Sequence, residues 1–254
     1  MKEQTGFLGT RTGLARKTSR VILMSITPLA LVLVTPSLAG AVSTCAPMWS
    51  PNNYAMGIAS TANAYGIEGY ISVNSPSVPT AYQTIDAHIF SLSSTGASGL
   101  EVGWDIGEEW GDGGVAYGYT TVPALFSTNF NASNYVALNG PTISNGSEYY
   151  YAVWWNGSST LTFRVNTYAD SPTIIWNGGF GLTRNVGTYG AGSEYAPGNY
   201  SLSGLHSGST TIQPTLYLNP SSSWVSAGFS TVCADTGLTI SVNGNSVTVG
   251  GTLN

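Results

Sequence analysis

Leu100-Glu101-Val102-Gly103-Trp104-Asp105-Ile106-Gly107-Glu108-Glu109-Trp110-Gly111-Asp112-Gly113-Gly114-Val115-Ala116-Tyr117-Gly118-Tyr119 gathers five carboxylates beside two tryptophans and two tyrosines, in a chain only 7% charged. Its apolar, aromatic and β-branched content with frequent glycine is the chemistry of strands and turns. Leu100 to Ile106 and Val115 to Thr121 are predicted strands. Asp105 through Asp112 is predicted as the loop leaving the first of them, either solvated or, because oxygen-rich glycine loops suit it, calcium-binding. Glu101 stands apart from that acidic group, on the strand itself.

The same pattern runs outward in both directions. Short β-branched and aromatic segments separated by Gly, Pro, Asn and Ser recur at Tyr54 to Ala64, Gly69 to Val73, Ile85 to Leu92, Glu148 to Trp155, Thr160 to Tyr168, Thr173 to Trp176, Thr210 to Leu218, Leu238 to Val242 and Ser246 to Val249. Asn156-Gly157 and Asn243-Gly244 supply the positive φ of tight hairpin turns. Tyr149 to Trp155 is apolar on both faces and is therefore predicted to be an inner strand. Gly178 to Ser209, rich in Gly, Ser, Tyr and Asn, is predicted as long loops crossing one face. No internal repeat or domain boundary interrupts residues 42–254. The expectation is an all-β fold, a single antiparallel β-sandwich, with residues 233–254 as a terminal hairpin.

The amino terminus has a different character. Lys2, Arg11, Arg16, Lys17 and Arg20 precede an apolar run from Val21 that ends in Ala39-Gly40-Ala41, the pattern of a secretory signal peptide covering residues 1–41. An uncleaved membrane anchor is the alternative for this run and would be the chain's one route to a membrane. Cleavage leaves Arg164 and Arg184 as the sole cationic side chains besides histidine, with a net charge of about −9. Such a surface cannot neutralise phosphates, which excludes nucleic acid as a partner. At low pH its carboxylates discharge and like-charge repulsion falls, so tolerance of acid is expected. In an oxidising compartment Cys45 and Cys233, near the two ends of the mature chain, are expected to form a disulfide. Asn-x-Ser sequons at Asn131, Asn145, Asn156 and Asn199 fit a secreted or cell-surface glycoprotein.

The available chemistry is narrow. With two histidines, His88 and His206, and no cysteine cluster, zinc and thiol-protease sites lack their ligands, and no cofactor motif is present. No Gly-x-Ser-x-Gly elbow or phosphate loop occurs. His88, in the alternating segment Asp86-Ala87-His88-Ile89-Phe90, reads as a satisfied sheet histidine rather than a base. Carboxylates remain, and they point to hydrolysis by an acid pair or an acid–amide pair.

Asn53-Tyr54-Ala55-Met56-Gly57, Ile67-Glu68-Gly69-Tyr70-Ile71-Ser72-Val73 with Pro76 and Pro79, and Leu100-Glu101-Val102-Gly103-Trp104-Asp105 follow in order the pattern of glutamic peptidases. The chain resembles the eqolisin and neprosin families across roughly Asn53 to Trp176; the Glu101 to Trp104 strand, Trp110-Gly111-Asp112 and Tyr117-Gly118-Tyr119-Thr120 are closest to the neprosin branch. The resemblance implies a concanavalin A-like β-sandwich with Glu101 activating water for attack on a peptide bond and a second glutamate donating a proton. That second acid follows a late-strand Trp by three residues in the family; here the position after Trp176 falls on Gly179. Either Glu194 or Glu148 supplies the acid instead, or the chain is a relative that no longer cleaves peptides.

The expected function is a secreted, acid-acting endopeptidase with Glu101 and Glu194 as the reacting pair. Its substrate is protein or peptide, and Trp104, Trp176, Tyr117 and Tyr119 shape the substrate groove. The rival expectation is a non-catalytic extracellular sandwich, a surface structural subunit or a carbohydrate binder.

Overall fold

A computed structural model describes residues 42–45, 52–80, 83–92, 99–111, 115–131, 134–155, 161–166, 172–178, 186–196 and 203–253. The predicted signal peptide lies outside them. The strands are β1 (Asn53–Ala64), β2 (Gly66–Ser72), β3 (Thr84–Leu92), β4 (Gly99–Gly111), β5 (Val115–Asn131), β6 (Asn134–Thr142), β7 (Glu148–Trp155), β8 (Leu161–Asn166), β9 (Pro172–Gly178), β10 (Val186–Ala196), β11 (His206–Ile212), β12 (Leu216–Leu218), β13 (Trp224–Ser226), β14 (Thr231–Ala234), β15 (Leu238–Asn243) and β16 (Ser246–Thr252). Among the described residues there is no helix, and the all-β expectation holds.

The strands form two antiparallel sheets. One is seven-stranded, in the order β14-β1-β10-β3-β4-β5-β6; the other is nine-stranded, with β15-β16-β11-β2-β7-β8-β9 as its path and β12 and β13 branching from β2. Period-two alternation decides which side of each strand meets the other sheet. From the first sheet Ile85, Ala87, Ile89, Val102, Trp104, Leu125, Ala191 and Tyr195 point inward; from the second, Ile67, Ile71, Tyr151, Val153, Ile212 and Val247 meet them in one core. The indole of Trp104 spans the layers, its Nε1–H donating to the Ser72 carbonyl at 3.0 Å. As expected, β7 is an inner strand, flanked by β2 and β8.

Several boundaries depart from the sequence expectation. The acidic run from Asp105 is not a loop: β4 continues to Gly111. Gly107 makes this possible by taking φ of 115° at a bulge, where a side chain would meet the Gln83 carbonyl at 1.9 Å. Asp105 is thereby an in-register strand residue, and Asp112 lies outside the described residues. Among those residues no group of three or more His, Cys, Asp or Glu side chains is arranged to hold a metal ion. The predicted strand Thr210 to Leu218 is broken by the cis Gln213–Pro214 bond into β11 and β12. The largest correction concerns Gly178 to Ser209, predicted as loops, since residues 186–196 form β10 in the middle of the seven-stranded sheet.

Cys45 and Cys233 are disulfide-bonded. The bond ties the start of the described chain to β14, the strand beside β1, and Asp235 reinforces the tie by accepting from the backbone N–H of Cys45 at 3.1 Å and of Tyr54 at 2.8 Å. Only β15 and β16 form the terminal hairpin; Cys233 belongs to the opposite sheet.

Candidate functional site

The seven-stranded sheet has a second face, turned away from the core, and its composition is unusual. Register places Tyr54, Glu194, Asp86 and Asp105 in one row across β1, β10, β3 and β4. The next row is Met56, Gly192, His88, Gly103 and Phe126; the one after holds Ile58, Gly190, Phe90, Glu101 and Thr128. Residues directly opposite share a face, so these groups all project from the same side. His88 occupies the middle, between two glycines, with Glu101 and Glu194 diagonal to it on the neighbouring strands.

The two glycines shape this centre by what they omit. A Cβ at Gly103 would lie 2.0 Å from the Ala87 carbonyl and 2.7 Å from the His88 Cα; one at Gly192 would lie 2.3 Å from the Ala55 carbonyl. Neither position has room for a side chain. The imidazole therefore has no lateral neighbour in its own row, and the space on either side is left to the glutamates.

Polar contacts fix each member. Glu101 Oε2 accepts from the Thr128 hydroxyl at 2.9 Å. Glu194 Oε1 accepts from the Tyr54 hydroxyl at 3.2 Å and from Asn52 Nδ2. Asp86 Oδ1 receives the Glu194 backbone N–H at 3.3 Å and lies 2.6 Å from His88 Nδ1. His88 is fully buried, Asp86 is 13% exposed, and His88 Nε2 has no hydrogen-bond partner among the described residues. The His88 ring packs beside Phe90 at 5.7 Å and edge-on to Phe126 at 6.2 Å.

These surroundings move the carboxyls in one direction. Burial pushes Glu101 up to about 7; the charges of Glu194 and Asp86 add to the rise, while His88 and the Thr128 hydrogen bond oppose it. Glu194 is also pushed up to about 7, first by burial and then by Asp86, against His88, Asn52 and Tyr54. Asp86 is raised well above the ordinary carboxylate range by burial. Carboxyls that hold protons near neutrality inside a polar cluster can both give and take protons, the requirement for general acid–base work.

The sequence-predicted residues separate cleanly on this map. Glu101 and Glu194 share the face; Glu148 starts β7 in the other sheet, beside Tyr70, Gln213, Pro214 and Asn245. Trp104, expected in the groove, is instead fully buried in the core, because it stands three residues from Glu101 and period two sends it to the opposite face. Trp176 lies on β9 of the other sheet, with its side chain outside the described residues, as is that of Tyr117 on β5. Tyr119 is 40% exposed on β5, opposite Glu108. Gly179 lies outside the described residues. Sequence reasoning missed Asp86, Tyr54 and Asn52 and set His88 aside; the available signal was Asp86-x-His88, two polar groups at the spacing that puts both on one strand face.

No protein-family model matches the chain, and no curated protein matches it. Solved structures do. The chain is similar to scytalido-glutamic peptidase bound to a peptide-based transition-state analogue, with a TM-score of 0.55 at 14% identity over 80% of this chain and 99% of that one. It is likewise similar to SCP-B, a member of the eqolisin family of peptidases in complex with the tripeptide Ala-Ile-His, with a TM-score of 0.54 at 12% identity and the same coverage. The fold is therefore the glutamic-peptidase β-sandwich.

Proposed function

We propose that this protein is a peptidase of the glutamic type, with Glu101 as general base and Glu194 as general acid. The observation that carries the reading is the placement of these two partly buried, proton-holding carboxyls on one face of the sheet, either side of the His88 row, in a fold similar to that of glutamic peptidases.

In the proposed reaction the ionised Glu101 takes a proton from water as the water oxygen bonds to the peptide carbonyl carbon. Glu194 gives its proton to the carbonyl oxygen, forming a neutral tetrahedral diol. Collapse breaks the C–N bond: Glu101 returns its proton to the leaving amine, and one diol hydroxyl returns a proton to Glu194. Water and amide become acid and amine, and both carboxyls are restored. Burial raises both Glu101 and Glu194, which moves the working window toward neutrality from the acid range expected from composition. The basic-apolar leader and the disulfide support action outside the cell, after removal of residues 1–41.

The test compares hydrolysis of an unfolded protein by the mature chain and by Glu101→Gln and Glu194→Gln, from about pH 3 to pH 8. Loss of about 10²- to 10⁴-fold in each variant is expected for removal of a general acid or base. Cleavage that is equal in all three proteins removes Glu101 and Glu194 from the reaction and overturns the reading; cleavage absent throughout returns the chain to the non-catalytic extracellular class.

A further inference from the structure

The seven strands that carry the site contain no lysine or arginine, so His88 is the one side chain on them able to carry positive charge. It is also the group at the centre. From its own strand it is faced by Asp86 and Phe90; from β4 by Gly103, Glu101 and Asp105; from β10 by Gly192 and Glu194; from β5 by Phe126 and Thr128; and from β1, one strand further, by Tyr54. Four of these are carboxyls. Asp86 engages Nδ1, which orients the ring, while Nε2 is buried without a hydrogen-bond partner among the described residues. A buried imidazole nitrogen without a partner costs free energy. Its placement beside two acids gives that cost a use.

We propose that His88, anchored by Asp86, is the counter-charge of the site: a positioning residue whose protonated imidazole keeps one of the two glutamates ionised while the other retains its proton. The cluster then holds a glutamate pair sharing one proton, beside an imidazole that Asp86 orients through Nδ1. That division is the one the proposed base and acid require, and the inference rests on that functional reading only for its consequence in catalysis. Without the imidazolium, two carboxyls on strands that hold no lysine or arginine would remain neutral together, and neither would act as base. Asp86 serves as the anchor because its Oδ1, 2.6 Å from Nδ1, fixes the orientation of the ring.

The first experiment is the pH profile of kcat/KM for the mature chain and His88→Gln. Removing a cation near a carboxylate makes that carboxylate harder to ionise, so the acid limb is expected to move upward by about one pH unit. A uniform loss of activity with the limb unmoved overturns the proposal. The second needs no activity and decides the matter even if no substrate is cleaved or His88→Gln does not fold. The mature chain has two histidines, so ¹⁵N-histidine NMR gives two imidazoles, with His206, on β11 of the other sheet and bonded to Thr252, as the internal control. In Glu101→Gln and Glu194→Gln the His88 titration is expected to move to lower pH while that of His206 stays in place. A His88 titration that is the same in all three proteins overturns the proposal, whatever the activity assay shows.

Discussion

Tyr54 stands directly opposite Glu194 across β1 and β10, and its hydroxyl donates to Glu194 Oε1 at 3.2 Å. The bond favours the ionised carboxylate, against a burial that favours the acid. Tyr54→Phe removes the hydroxyl donor and keeps the ring. Glu194 then keeps its proton to higher pH, and the alkaline limb of the kcat/KM profile is expected to move upward by a fraction of a unit, with a stability cost of about 1 kcal/mol. A limb unchanged from that of the parent would assign the alkaline titration to another group.

Stability and pH are linked through the same carboxyls. In the unfolded chain Glu101 and Glu194 ionise near 4.5, whereas in the fold both are raised to about 7. Between those values the unfolded chain has released protons that the folded chain still holds. Stability is therefore greatest below about 4.5 and falls as pH rises toward 7, by a few kcal/mol over the pair. The buried Asp86 and the raised Glu68 act in the same direction. Thermal melts at pH 4 and pH 7.5 are expected to give the higher Tm at pH 4, with a smaller difference in the Glu101→Gln, Glu194→Gln double variant.

Trp104 belongs to the core, and its substitutions should behave accordingly. Trp104→Ala empties a fully buried indole site and removes the bond to Ser72, and about 3 to 5 kcal/mol of stability is expected to be lost in denaturant titration. Trp104→Phe keeps much of the packing and should leave the ratio of cleavage rates between peptide substrates unchanged. A changed ratio would return the residue to the groove.

The disulfide closes a loop of 188 residues and fastens β14 to β1. Loop-closure entropy puts its contribution at about 4 to 5 kcal/mol. Met56, Phe90, Tyr54 and Cys233 cluster on the site face, so the Cys45→Ser, Cys233→Ser variant is expected to lose order there first. Hydrogen exchange should report faster amides in β14 and the start of β1 before the core strands respond.

How legible the molecule was depends on which residues carried the information. Residues 84–92 and 148–155 announce themselves by apolar and aromatic patterning that burial rewards, and the disulfide followed from two cysteines and compartment alone. β10 did not, because its site face is Gly190, Gly192 and Glu194, where the fold needs absence of side chains rather than hydrophobicity. Only Tyr189, Ala191, Ser193 and Tyr195 mark its buried side, and half of that row is small. The acidic run after Trp104 misled in the opposite sense: charge suggested a loop, but a single glycine at 107 let the strand run on. Glu101 was found through its strand motif. His88 was undervalued because its meaning depends on two glycines and two acids from other strands, and no local spacing encodes that.

β10 also sets the order in which the site can come into being. Chain synthesis delivers β1, β3 and Glu101 on β4 early, then passes through β7, β8 and β9 of the opposite sheet before residues 186–196 slot between β1 and β3. Such long-range pairing is the slow part of assembling a sheet. A nascent chain cut short before Val186 carries the proposed base without the proposed acid, so the proposed activity cannot arise until most of the chain has been made.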